Sequence, residues 1–248
     1  MKNKIILFLS FTQFLFSQQQ YTVKYAVVPS NGSLERIDDY GEKTQDLKDF
    51  FVALSKDADK TLKMLEYQLI VKNEKSVFKL VIESKPEIKL NQWAIGLATK
   101  DTYFSDKITS YRQTSFNKEK LIVTSPLTNN WTLLKESKTI DGYKCFKATC
   151  EKTWRSQPEL NGNKLNYTII AWYCPKITSS LGPKGFGGLP GLILELQDNK
   201  VTFLIKSINY EPVAPIDFTE NDKIKNLTEN EFYKKVEDLK QMMFGNKK

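Results

Sequence analysis

Large apolar and polar residues alternate along much of this chain, and a period of two marks strands with one buried face. Tyr21–Val27 reads as a first strand, followed by a loop rich in Asn, Gly, Ser and Asp. The period then changes. Leu47, Phe50, Phe51, Leu54, Ala58 and Leu62 fall on one face of a helix spanning Gln45–Leu62, with Thr44 as its N-cap. That helix is expected to cover one side of a sheet.

Tyr67–Val71 and Val77–Ile82, joined by Asn73-Glu74-Lys75, read as a hairpin. Further strands are expected at Trp93–Leu97, Lys107–Gln113, Lys120–Thr124 and Trp131–Glu136. Polar turns separate them every dozen residues or so, the rhythm of an antiparallel sheet. Tyr143–Cys150 and Tyr167–Cys174 flank a loop rich in Pro, Asn and Gly, Ser156 to Lys164. Leu192–Leu196 and Val201–Ile208 form a last hairpin around Asp198-Asn199. Pro212 and Pro215 break the pattern. Beyond them Thr228-Glu229-Asn230-Glu231 is a capping box. It opens a helix with Phe232, Val236, Leu239 and Met243 on one stripe. The expected class is α+β: a curved antiparallel sheet, a covering N-terminal helix and a C-terminal helix.

The ends add a compartment. Lys2 and Lys4 precede the apolar core Ile5–Leu9, Phe11, Phe14, Leu15 and Phe16, the composition of a secretory signal peptide cleaved after Ser17. No Cys near that point invites a lipid anchor. No later run is long enough for a transmembrane helix, which needs about 20 apolar residues. The expected organisation is residues 1–17 as leader, 18–211 as a β-rich domain, and 212–248 as linker and amphipathic helix. A periplasmic protein is expected.

Charge and composition then narrow the chemistry. The formal net charge is +8, but the lysines are spread evenly, with no basic stripe carrying interleaved aromatics. Nucleic acid is therefore not an expected partner. The chain contains no histidine. Ser-His-Asp and Cys-His catalysis are excluded, as are His-containing zinc sites. No catalytic residue, cofactor or metal is expected.

Five of the 11 glycines fall within Gly182–Gly191, immediately before an apolar strand. Gly-Lys-Ser/Thr is missing and no helix follows, so this is not a phosphate loop. Pro190-Gly191 suits a type II turn, and Gly187-Gly188 lets backbone approach the sheet. The alternative reading is a partner-binding loop, Lys184, Gly185, Phe186, Gly187, Gly188, Leu189, Pro190 and Gly191, with Phe186 as anchor. The stripe Phe232, Val236, Leu239 and Met243 is the second candidate partner surface.

If Tyr143–Cys150 pairs antiparallel with Tyr167–Cys174, one register sets Phe146 against Tyr173, Ala148 against Ala171 and Cys150 against Ile169. Cys145 then meets Cys174, and a cross-strand disulfide is expected there, worth ~2–4 kcal/mol. Glu195 is expected to face solvent or to pair with Lys206. Two Ser-x-x-Lys matches, Ser76–Lys79 and Ser115–Lys118, lack their companion motifs. Asp57-Ala58-Asp59 lacks the Gly and the Glu of a calcium loop. Trp93, Trp131, Trp154 and Trp172 are expected to serve core packing rather than to line a groove.

Several of these motifs recur together in one family. Trp131, Lys138-Thr139-Ile140-Asp141-Gly142-Tyr143-Lys144-Cys145, Ala171-Trp172-Tyr173-Cys174-Pro175-Lys176-Ile177 and Gly188-Leu189-Pro190-Gly191-Leu192-Ile193 stand in order. The chain resembles the GLPGLI proteins of Bacteroidetes-type bacteria over residues 21 to 210. The resemblance implies no catalytic activity. Its long strands and N-terminal helix look like the periplasmic lipoprotein-carrier fold, a half-barrel whose concave face takes acyl chains. The expected function is that of a non-enzymatic accessory protein binding another envelope protein, for instance one of the outer membrane. The alternative is a carrier for a lipid or other apolar ligand.

Overall fold

The computed structural model describes residues 20–30, 44–81, 90–127, 130–153, 166–214, 216 and 224–244. The expected leader, Trp154, the Ser156–Lys164 loop and Pro215 lie outside them.

Alternation becomes strands almost everywhere it was read. They are β1 (Gln20–Pro29), β2 (Glu66–Lys72), β3 (Lys75–Val81), β4 (Thr102–Ser105), β5 (Thr109–Phe116) and β6 (Glu119–Pro126). The second half of the chain adds β7 (Thr132–Ile140), β8 (Tyr143–Thr153), β9 (Asn166–Cys174), β10 (Leu192–Asp198), β11 (Val201–Asn209) and β12 (Lys225–Thr228). Three helices complete the set: α1 (Gln45–Met64), α2 (Gln92–Ala98) and α3 (Glu229–Phe244).

The strands form one sheet in the order β12-β6-β5-β4-β3-β2-β1-β11-β10-β9-β8-β7. Two meanders, β1 to β6 and β7 to β11, join where β1 pairs with β11. Every pairing is antiparallel except β12 with β6. The edge strands β12 and β7 do not meet, so the sheet is not closed into a barrel. Tight turns enforce the meander. Asn73 and Glu74, Asn117 and Lys118, and Asp141 and Gly142 all have positive φ. Two-residue turns of this hand match the twist of the strands they join.

Tyr25, Tyr67, Phe78 and Phe203 form the centre of the core. Tyr67 stacks on Phe78 at 5.2 Å and meets Phe203 edge-on at 5.3 Å. The Tyr25 hydroxyl donates to the Ile193 carbonyl at 2.7 Å, so this buried phenol has a partner.

Helix α1 packs on β1 but uses less of its apolar face than the periodicity predicts. Ser55, Ala58, Thr61 and Leu62 are buried, while Leu47 and Phe50 are exposed, Phe50 by 60%. The small residues Ser55 and Ala58 bring the C-terminal half close to the sheet. In the N-terminal half no residue is fully buried, although Phe51, Val52 and Leu54 are half-buried, and Thr44 makes no side-chain cap.

Two expected strands change. Trp93–Leu97 is helical, as α2. The Asn91 side chain accepts from the N–H groups of Trp93 and Ala94 at 2.9 and 3.2 Å, which starts a helix instead of a ladder. Lys107–Gln113 is interrupted because the Asp106 carboxylate accepts from the N–H groups of Ile108 and Thr109. That turn ends β4, and β5 begins at Thr109.

The capping box holds. The Thr228 N–H donates to the Glu231 carboxylate at 2.7 Å, and the Glu231 N–H donates to the Thr228 hydroxyl at 3.3 Å. Within 212–248, β12 adds to the β6 edge. Phe232 is buried with Leu121, Val123 and Leu227 in a small second core.

The β8–β9 register is the expected one, with Phe146 opposite Tyr173, Ala148 opposite Ala171 and Cys150 opposite Ile169. Cys174 is near enough to contribute, after burial, to raising the Cys145 thiol. The bridge expected between them is absent: Cys145, Cys150 and Cys174 are free, buried thiols. The pair lies one step past the last regular β8–β9 rung, and the Cys145 thiol points to the Tyr143 carbonyl at 3.5 Å. Burial pushes the Cys145 thiol up to about 12 and Cys150 to about 11. Neutral buried thiols react slowly. The native protein should therefore resist a thiol reagent for as long as it stays folded and titrate three thiols once denatured without reductant. A count of one would show that the pair closes.

Candidate functional site

The Gly-rich segment is a lasso. Leu181 and Gly187 pair as an isolated antiparallel bridge, and the Gly188 N–H donates to the Ser180 carbonyl at 2.7 Å. The Trp131 indole N–H donates to the Gly187 carbonyl at 2.8 Å, tying the loop to the start of the second meander. At the tip, Pro183–Gly185 make a single 3-10 turn. Lys184 sits in the left-handed region, φ 54 and ψ 30. For a residue with a Cβ this costs about 1–2 kcal/mol. It swings the Lys184 side chain inward.

The type II turn expected at Pro190-Gly191 is replaced by something tighter. The Gly191 N–H donates to Leu189 at 2.8 Å, a three-residue turn. The Leu192 N–H bonds to the Ile177 carbonyl at 3.1 Å instead of closing a four-residue turn. The fitting reason for Gly191 is close approach, because a Cβ there would strike the backbone of Cys174 and Pro175.

Lys184, Gly185 and Phe186 line a cavity of about 520 Å³. One wall is the first meander. Ser110, Arg112 and Thr114 recur every second residue on β5, and Tyr103 on β4 stands opposite Arg112. The other wall is the second meander, with Lys152 on β8 paired to Tyr167 on β9, and Asp198 at the end of β10. Glu229 and Tyr233 from the first turns of α3 close a third side. Strands near opposite ends of the sheet order thus face one space, so the sheet bends strongly around it.

Charges here are matched. Lys184 makes an ion pair with Asp198, both largely buried. Arg112 pairs with Asp101 at 3.3 Å, and its guanidinium lies 4.7 Å from the Phe232 ring centre. Burial is the largest single influence on Lys184 and pulls its ammonium toward neutrality, but the charge and hydrogen bond of Asp198, with Tyr103 and Asp101, together outweigh it, and its pKa lies above the ordinary 10.5. Lys184 is therefore a charged donor, neither nucleophile nor base. Burial also raises the phenols of Tyr103 and Tyr167, which keeps them as O–H groups. Among the described residues, no cluster of three or more His, Cys, Asp or Glu side chains could hold a metal ion.

Of the loop residues singled out from sequence, three reach this cavity. Phe186 is no free anchor: it packs 6.2 Å from Trp131, and Lys152 sits 5.5 Å over its ring. Gly187, Leu189 and Gly191 are buried, while Gly188 and Pro190 face out. On α3, Phe232 is buried, Val236 and Leu239 are half-buried, and Met243 is exposed. Glu195 pairs with Lys138 at 2.7 Å rather than with Lys206, which bonds to Glu66. Lys138 in turn lies 4.3 Å over the Trp172 ring, while Trp93 is exposed on α2. Sequence reading passed over Asp101, Tyr103, Arg112, Tyr167 and Asp198. Asp198 did carry a signal, being an acid in phase with the buried Leu196.

The model of a family described as "Protein of unknown function (Porph_ging)" matches residues 152–195. Its members are associated with Bacteroidetes. The matched span runs from the end of β8 through β9 and the lasso into β10. No curated protein matches the chain. A crystal structure of PNGF-II in space group C2 is 14% identical with a TM-score of 0.48, covering 88% of this chain and 32% of that one. The chain thus spans about a third of the length of PNGF-II. LprF from Mycobacterium bovis is 11% identical with a TM-score of 0.28, covering 79% of this chain and 89% of that one. No helix among the described residues is long and apolar enough to cross a membrane.

Alkali should destabilise this protein. Burial raises Cys145, Cys150, Tyr21, Tyr67 and Tyr167 above their ordinary values of 9.0 and 10.0. Above those values the unfolded chain sheds protons that the folded chain keeps, so stability falls with pH. Lys184 acts in the same direction: its contribution is present below 10.5 and lost as pH rises through its higher folded value. The melting temperature should decline from about pH 9 and more steeply above 10. A flat profile between pH 9 and 11 would contradict the burial of these groups.

Proposed function

We propose that this chain is an exported, GLPGLI-type protein that works without catalysis, as an accessory that captures another envelope protein. The observation that carries the reading is convergence. The tip of the lasso (Lys184–Phe186) and the start of α3 (Glu229, Tyr233), far apart in sequence, line one solvent-open cavity. Arg112 and Lys184 are held in ion pairs and Tyr103 and Tyr167 stay protonated, which suits recognition through hydrogen bonds. The bent, unclosed sheet with α1 on β1 supports a half-barrel of the lipoprotein-carrier kind, and the partner we propose is an outer-membrane protein.

A second reading has its own observation. A separate cavity of about 410 Å³ lies under the lasso, with Val71, Pro175, Leu181, Leu189 and Pro190 among its walls. Those residues suit an apolar ligand, as a lipid carrier would need, while Glu74, Lys107 and Thr178–Ser180 make the rest of its wall polar.

Pull-down of the tagged mature chain from its native envelope in mild detergent, read by native mass spectrometry, separates the readings. A stoichiometric protein, lost with Glu229→Lys/Tyr233→Ala, supports the accessory reading. A lone chain carrying lipid mass supports the carrier. A bare chain overturns both.

A further inference from the structure

We propose that the main cavity binds a neutral saccharide, for instance a glycan carried by an envelope partner. The inference rests on the reading of that cavity as a recognition site.

The first argument is charge. Lys100, Arg112, Lys152 and Lys184 line the cavity, and so do Asp101, Glu151, Asp198 and Glu229. Four cations face four carboxylates, although the chain as a whole carries +8. A site for an anion in so basic a protein would show a surplus of cations. Here the surplus is cancelled, and two of the pairs are in direct contact. A charged ligand would have to compete with Asp198 for Lys184 or with Asp101 for Arg112, and the other two cations, Lys100 and Lys152, share the wall with Glu151 and Glu229. A neutral hydroxyl meets no such competition: it donates to a carboxylate and accepts from an N–H in the same contact, and hydrogen bonds to charged groups are the stronger kind.

The second argument is the remaining wall. Ser110, Thr114, Ser125 and Thr153 bring short hydroxyl side chains from three strands. Tyr103, Tyr167 and Tyr233 add phenols on aromatic rings, and Phe186 adds an apolar ring at the lasso tip. A pyranose has the same two-sided character, with hydroxyls at its rim and C–H groups on its faces. A volume of about 520 Å³ falls within the range of small-molecule sites. The third argument is rigidity. Lys184 is held in a left-handed conformation by the lasso and locked to Asp198, so a polar group is fixed at the wall before any ligand arrives. Such pre-organisation reduces the ordering cost of binding.

Saturation-transfer NMR on the mature chain tests this. The probes are chitobiose, mannobiose and lactose, with a uronic-acid disaccharide and zwitterionic trialanine as charged comparators. At least one neutral disaccharide should receive saturation and the two charged probes should not. Ser125→Trp, which fills the cavity from β6, should abolish the signal at unchanged far-UV circular dichroism. Thr153→Trp makes the same block from the exposed end of β8 if the first variant does not fold. Silence from all neutral sugars with folded protein overturns the proposal, as does a signal that survives a folded blocking variant or a stronger response to trialanine. A partner captured in the pull-down while every sugar stays silent would leave the accessory reading standing and remove only the saccharide.

Discussion

Gly191→Ala should lower the melting temperature by about 6–12 °C, the shift expected when a chain of this size loses about 3 kcal/mol. The methyl group would overlap the Cys174 carbonyl and lie 2.6 Å from the Pro175 nitrogen. These are backbone atoms at the end of β9, pinned by the Leu192–Ile177 and Ile177–Cys174 hydrogen bonds, and they have no rotamer by which to yield. Gly191 also has φ +156, a value that disfavours a side chain. Gly96→Ala is the matched control. It lies inside α2 with nothing within 4 Å of the added Cβ, and alanine should stabilise it by about 0.5–1 kcal/mol. Thermal denaturation followed by circular dichroism reads both. Equal melting temperatures for Gly191→Ala and wild type would show that the lasso does not sit on β9 as described.

The Lys184–Asp198 pair should behave as a coupled unit. Asp198→Leu leaves a buried ammonium without its partner, and Lys184→Met leaves a buried carboxylate. Each single variant should cost about 3–5 kcal/mol. The double variant should cost less than either, because two apolar side chains of similar size replace both charges at once. Urea denaturation of the four proteins completes the cycle. Additive losses would mean that the two charges do not feel each other, and the ion pair would be refuted.

Gly191 and the Lys184–Asp198 pair belong to different levels of the molecule. Close approach was legible at Gly187-Gly188, and a Cβ on Gly187 would indeed strike the Ser180 carbonyl oxygen, whereas Gly191 read only as part of a type II turn and its approach to β9 was not foreseen. The register of Tyr143–Cys150 against Tyr167–Cys174 was legible because setting Cys145 opposite Cys174 gives a coherent apolar face. The hairpin turns and the Thr228–Glu231 capping box were legible for the same reason: their chemistry acts within a few residues. Trp93–Leu97 was not, since a short apolar run has no decisive period. The deciding contacts came from outside it, where the Asn91 N–H bonds the Thr61 hydroxyl at 3.2 Å and its amide bonds Asp57 at 2.6 Å. Phe50 and Leu47 mislead in the opposite sense. Their spacing is helical, but whether a helical face is covered depends on how far the sheet extends beneath it.

The sequence by itself determined most of the strands, though not β4, β12 or the helical α2, together with the hairpins, the α3 cap and the absence of histidine chemistry. All of these depend on residue type and on spacing over one or two turns of chain. Only the tertiary structure decided that Arg112, Tyr167, Lys184, Asp198 and Tyr233 share one cavity. Sheet curvature is the sum of small twists over twelve strands. It brings together walls that no local pattern relates. The same bend turned Lys184 and Asp198, which read locally as a loop residue and a turn residue, into a buried ion pair.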